Sequence, residues 1–145
     1  MPPMMPRPEQ PTEATASVRV RRMQSFFRKV VLAAYDWRCC VTANPVPELL
    51  IASHILPWSE FPQERVNPSN GLCLAAHFDR AFDQGLIAFG EDAKLVLSSE
   101  LRAHLPDKAI EREFMSMEGV PLRMPERFPA DGEFLQYHRR KIFRA

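Results

Sequence analysis

Between Leu49 and Leu86 the chain reads LLIASHILPWSEFPQERVNPSNGLCLAAHFDRAFDQGL, and the order of local signals in this stretch leaves few folds open. Glu48 to His54 is apolar and β-prone, and it ends on a histidine. Pro57 stops further pairing, because proline has no N–H to give to a ladder. Ser59 to Ser69 is polar, with two prolines and an Asn67-Pro68 turn signal, so it reads as a loop. Leu72 to Leu74 is a minimal second strand after the Asn70-Gly71 turn. Asp79 to Gln84 is expected to be helical, with Gly85 near its C-terminal end. The order is strand, loop, strand, helix, and it carries His54, Asn70, His77, Asp79 and Asp83.

The flanks supply the rest of an α+β domain. Val20, Met23, Phe27, Val30, Val31 and Ala34 recur at threes and fours, which predicts a helix over Val18–Tyr35 with one apolar stripe. Arg19, Arg21, Arg22, Arg28 and Lys29 make that helix the densest positive patch in the chain. It is either a set of phosphate contacts or a solvated face. Trp37 to Thr42 is a short β-prone run before the breaker cluster Ala43-Asn44-Pro45. Leu86–Phe89 and Leu95–Leu97 flank Gly90–Lys94 and read as a hairpin. Ser98 to His104 is a short helix capped by Ser98 or Ser99. Pro106 to Pro129 contains four prolines and reads as irregular. Glu133 to Phe143 is a helix with Phe134, Leu135, His138 and Ile142 on one side. Arg139, Arg140, Lys141 and Arg144 at its end either complement the helix dipole or form a second phosphate patch. Residues 1–17, rich in Pro, Thr and Glu, are expected to form a disordered tail. That leaves 18–145 as a single domain with its core at 39–90.

At 145 residues one domain is the default, large enough for a core without disulfides. A net charge of +1 excludes a global basic field, so any nucleic-acid contact must come from local patches. No apolar run approaches a membrane span, and the N-terminus lacks the apolar core of a signal peptide, so no membrane partner and a cytoplasmic location are expected. Cys39, Cys40 and Cys73 form no C-x-x-C pair, which argues against a disulfide framework or a cysteine zinc knuckle. Cys40 reads as a small buried hydrophobe. No phosphate-binding glycine loop is present.

The segments SHILPW, NGL and HFDRAFD, in that order, resemble the HNH endonuclease superfamily, in the branch with S/A-H-I-x-P-W, N-G-L and H-x-D-x-x-F-D segments. The resemblance covers roughly residues 19–90, and more weakly the C-terminal helix. It implies a ββα-metal nuclease core flanked by an N-terminal basic helix, a β-hairpin and a C-terminal helix. Relatives usually carry Gly where this chain has Ala43. His54 matches the family's first histidine, the general base, and a neutral imidazole can take a proton from water at pH 7. Ser53 replaces the acidic or histidine ligand that often precedes it. Asn70 matches the second letter; in relatives it ties the loop and orients the histidine, or touches the metal. The third letter falls on Asp79 and Asp83, four apart on one helix face, with His77 just before the helix as a catalytic and metal-binding nitrogen donor. A set of His77, Asp79, Asp83 and Asn70 is rich in oxygen, which favours Mg²⁺ or Mn²⁺ and, through the histidine, leaves Zn²⁺ and Ni²⁺ open.

The expected partner is therefore DNA, double-stranded in the first instance. Arg21, Arg22, Arg28, Lys29, Arg65, Arg80, Arg139 and Arg140 are the candidate phosphate contacts. A lone site of this kind cuts one strand, so double-strand cleavage would require a homodimer or two successive events. Two rivals stand beside the nuclease: a nucleic-acid- or partner-binding module with a degenerate HNH site, and a protein in which the metal only holds the fold.

Overall fold

A computed structural model describes residues 12–145. Helix α1 spans Glu13–Ala34 and begins five residues before the expected start. Thr12 is the reason: its side-chain oxygen accepts from the Thr15 N–H at 3.1 Å, and Glu13 adds an acidic residue to the first turn. Residues 13–17, expected in the tail, are therefore helical, and residues 1–11 lie outside the described region. Only the C-terminal half of α1 packs inward, through Phe27, Val31 and Leu32.

Trp37–Thr42 is not a strand but a chain of turns. Asp36, Trp37 and Ala43 all have positive φ, a conformation no strand contains. Ala43 sits at φ 64°, where its Cβ crowds the backbone and glycine would not. Ala43→Gly is expected to raise stability by about 0.5–1 kcal/mol, read as an increase in the urea midpoint at an unchanged slope.

Strands β1 (Leu50–His54) and β2 (Gly71–Ala75) pair antiparallel in the register Leu50↔Ala75 to His54↔Gly71. The chain before β1 is a single 3-10 turn, Pro47–Leu49, because Pro47 starts it. All five residues of β2 are buried, and α1 and helix α2 (Ala76–Asp83) both pack on the ribbon. Gly71 lets α1 come close. A Cβ there would meet Val31 Cγ2 at 2.5 Å and Phe27 Cζ at 2.9 Å. Gly71→Ala should therefore cost about 1–3 kcal/mol through overpacking, read by denaturant unfolding. Because Gly71 faces His54 across the ladder, the same change should displace the Phe27 ring from the histidine.

After α2 come the hairpin strands β3 (Ile87–Phe89) and β4 (Leu95–Leu97), then α3 (Ser99–Arg102), capped by Ser98. The proline-containing stretch expected to be irregular holds a helix, α4 (Lys108–Glu113), started by the Asp107 side chain accepting from two backbone N–H groups. Helix α5 (Gly132–Lys141) closes the fold, capped by Asp131. One buried cluster joins α1, the β1–β2 ribbon, α2, the hairpin and α5. Cys39, Cys40 and Cys73 are free and buried in it. Burial pushes the Cys73 thiol up to about 12 and raises that of Cys40, so these two act as packing groups. Among the described residues no helix is long and apolar enough to cross a membrane.

Candidate active site

The expected base and both expected carboxylates line one cleft. Its volume is about 480 Å³, and its walls are Ala52, Ser53, His54, Pro57, Trp58, Ser59, Asp79 and Asp83. β1 delivers His54 at its last residue, and α2 presents Asp79 and Asp83 four apart on the same face.

His54 is held from three sides. Its ring stacks on Phe27 at 3.9 Å and 7°, and Trp58 meets it edge-on at 5.5 Å. Its Nε2 lies 2.9 Å from the Arg65 carbonyl oxygen. A carbonyl can only accept, so Nε2 carries the proton and Nδ1 keeps its lone pair. Burial lowers the His54 pKa, partly opposed by the Arg65 carbonyl and the Asp79 carboxylate. The ring is thus biased towards the neutral form at pH 7, the form that can accept a proton.

Asn70 shapes the loop that supplies that carbonyl. It is 1 % exposed, and its Oδ1 accepts from the Leu56 N–H at 2.8 Å while its Nδ2 donates to the Glu64 carbonyl at 3.1 Å. Its own carbonyl accepts from the Ile55 N–H at 2.9 Å. With its side-chain oxygen engaged and buried, Asn70 stands as a loop tie rather than a donor pointing at an ion.

Asp79 is half-buried, and its pKa is raised, first by burial and also by the neighbouring Asp83 carboxylate. The buried Ser53 hydroxyl beside it opposes that rise by favouring the charged form. Ser53, a poor ligand by its chemistry, lines the cleft with His54 and Asp79. Phe27 was legible only as part of an apolar stripe, because its contact with His54 crosses between distant elements.

His77 departs from expectation. Helix α2 starts at Ala76, so His77 lies inside the helix rather than before it. Two residues before Asp79 is about 200° around the helix, which turns the ring away from the carboxylates. It is exposed and packs edge-on against Phe114 at 5.9 Å. Among the described residues no group of three or more His, Cys, Asp or Glu side chains stands ready to hold a metal ion. The expected ligand set of His77, Asp79, Asp83 and Asn70 is therefore not assembled, and two carboxylates beside His54 remain. That donor set still suits Mg²⁺ or Mn²⁺. Mg²⁺ characteristically takes one or two carboxylates, keeps several waters and completes its shell with substrate phosphate. Without the His77 nitrogen, the two carboxylates offer oxygen alone, which Zn²⁺ and Ni²⁺ favour less than a set with imidazole.

The basic residues divide. Arg28 is engaged within the fold, donating to the Leu50 carbonyl at 2.6 Å and the Pro47 carbonyl at 3.0 Å, so it pins α1 to β1 instead of reaching outward. Arg139 likewise donates to the Phe89 carbonyl at 2.7 Å. Arg65 donates from Nε to the Trp58 carbonyl and lies over the Trp58 ring at 4.7 Å, at the rim of the cleft. Arg21, Arg22, Lys29, Arg80 and Arg140 are exposed. Arg80 is next to Asp79 on α2, whereas Lys29 lines a separate apolar groove with Phe26, Val66 and Phe128.

Comparison with known proteins agrees with this geometry. Residues 39–90 match the model of a family described as HNH endonuclease. A solved structure titled "Modification dependent TagI restriction endonuclease" is similar over 80 % of this chain at 23 % identity, with a TM-score of 0.54. This chain spans 37 % of that one, and at such identity the likeness speaks for the fold. No curated protein matches. The span of the family match contains the β1–loop–β2–α2 unit and the cleft it builds.

Proposed function

We propose that this protein is a metal-dependent endonuclease that hydrolyses DNA phosphodiester bonds, with His54 as general base. The observation that carries the reading is the orientation of His54. Its Nε2–H is tied to the Arg65 carbonyl, which reserves Nδ1 as a proton acceptor, and the residue lines the same cleft as Asp79 and Asp83. His54 takes a proton from water as it attacks phosphorus. Asn70 holds the loop that fixes the imidazole tautomer, and Phe27 holds its plane. Asp79 and Asp83 would hold a divalent cation, Mg²⁺ or Mn²⁺, which when bound supplies positive charge for the phosphorane and the leaving 3′-oxygen. Arg80 and Arg65 flank the cleft, where flanking phosphates would lie. The products expected from this arrangement are a 5′-phosphate and a 3′-hydroxyl. A role in restriction or phage defence fits the likeness to a restriction endonuclease.

Supercoiled plasmid tests the proposal directly. With Mg²⁺ or Mn²⁺ the open-circular form should appear before the linear form, since one site cuts one strand, and EDTA should prevent both. Folded protein that retards DNA in a gel but leaves it uncut with every metal would replace the nuclease by the binding module.

A further inference from the structure

We infer that His138 is a positioning residue for Asp83, an inference that rests on the proposed role of Asp83 at the cation site. Consecutive residues of α5 touch the loop after β1 and the end of α2. Tyr137 meets Phe61 of the loop edge-on at 5.0 Å. His138 stacks on Phe82 at 3.7 Å and 4°, and its Nε2 donates to the Phe82 carbonyl at 2.8 Å. Phe82 is the residue immediately before Asp83. On the other side of Asp83, the Gly85 carbonyl accepts from the Arg144 N–H at 2.8 Å. The end of α2 is therefore bracketed by the C-terminal segment, and His54, Asp83 and His138 line one cavity of about 180 Å³.

The chemistry of the ring points to position rather than packing. His138 is 1 % exposed, and its Nδ1 is buried with no hydrogen-bond partner among the described residues. A phenylalanine would give the same stack without stranding a nitrogen. Nor is the imidazole needed to satisfy the Phe82 carbonyl, which already accepts from the Gly85 N–H at 3.1 Å. What only the imidazole adds is a second, directional hold on the peptide beside Asp83. Outer partners of this kind orient the groups that face a metal.

Mn²⁺ binding, followed by the loss of the free-ion signal in electron paramagnetic resonance, tests this without reference to cleavage. His138→Phe keeps the stack and removes the N–H donor. It is expected to melt within about 3 °C of wild type yet bind Mn²⁺ about 10-fold more weakly. His138→Gln, which can restore an N–H towards Phe82, should recover part of that affinity. Wild-type Mn²⁺ affinity in a folded His138→Phe protein would overturn the inference and leave the active-site reading standing. So would failure of both variants to fold, which would make the ring a structural group. Wild-type protein that takes no Mn²⁺, or an Asp79→Asn variant that binds it normally, would overturn the site itself and this inference with it.

Discussion

His54→Ala is expected to lower plasmid nicking by about 10²–10⁴-fold, the usual contribution of a positioned general base. The groups that touch its ring, Phe27 and Trp58, offer no proton acceptor, so neither replaces it. The pH dependence of the wild type follows from the direction of its pKa. Burial lowers it from 6.5. The neutral form should therefore predominate above that value, and the nicking rate should rise with pH and reach its plateau by neutrality. The same shift makes stability fall in acid. The unfolded histidine binds a proton at higher pH than the folded one, so stability is lost as pH falls below 6.5 towards the folded value. His138, lowered to about 4 by burial, acts in the same direction between 6.5 and 4. Single-turnover nicking across pH 5–8 checks the first point. A half-maximum above pH 7.5, or cleavage that survives His54→Ala, would assign the base elsewhere.

Asp79→Asn is expected to reduce metal-dependent nicking by at least about 10²-fold, because it removes charge from one of only two carboxylates in the cleft. Its effect on stability should have the opposite sign. Burial and Asp83 raise the Asp79 pKa, so its ionised form is disfavoured by folding. In wild type that penalty is absent below the unfolded value of 3.8, grows as pH rises towards the folded value, and levels off above it. The nearly isosteric amide removes it, so metal-free Asp79→Asn should melt at or above the wild-type temperature at pH 7. Loss of activity with retained or increased stability marks a group held at a functional site at the expense of the fold. A large fall in melting temperature would instead make Asp79 a structural residue. Chelation also separates the nuclease from a protein whose metal only holds the fold: the nuclease should lose activity and stay folded, whereas the other should unfold.

Much of the architecture is legible in the chain because its signals are local. The apolar run ending in His54, the Asn70-Gly71 turn and the short run after it place the β1–β2 ribbon, and alternation with turn residues places the hairpin. Asp79 and Asp83 share a face because four residues nearly complete a helical turn. These are properties of neighbouring residues, and a sequence expresses them directly. What failed depended on where one element begins relative to another. Moving the start of α2 to Ala76 rotates His77 away from the carboxylates and against Phe114. Arg28 and Arg139 read as free cations until their guanidinium groups meet carbonyls on distant segments, 22 and 50 residues away. The tautomer of His54 is set by the carbonyl of Arg65, and its plane by Phe27 on another helix. The sequence by itself determined the order of the elements and the residue types that can do the chemistry. The tertiary structure decided which of them face the same cleft, because direction and partnership arise only when separate elements pack.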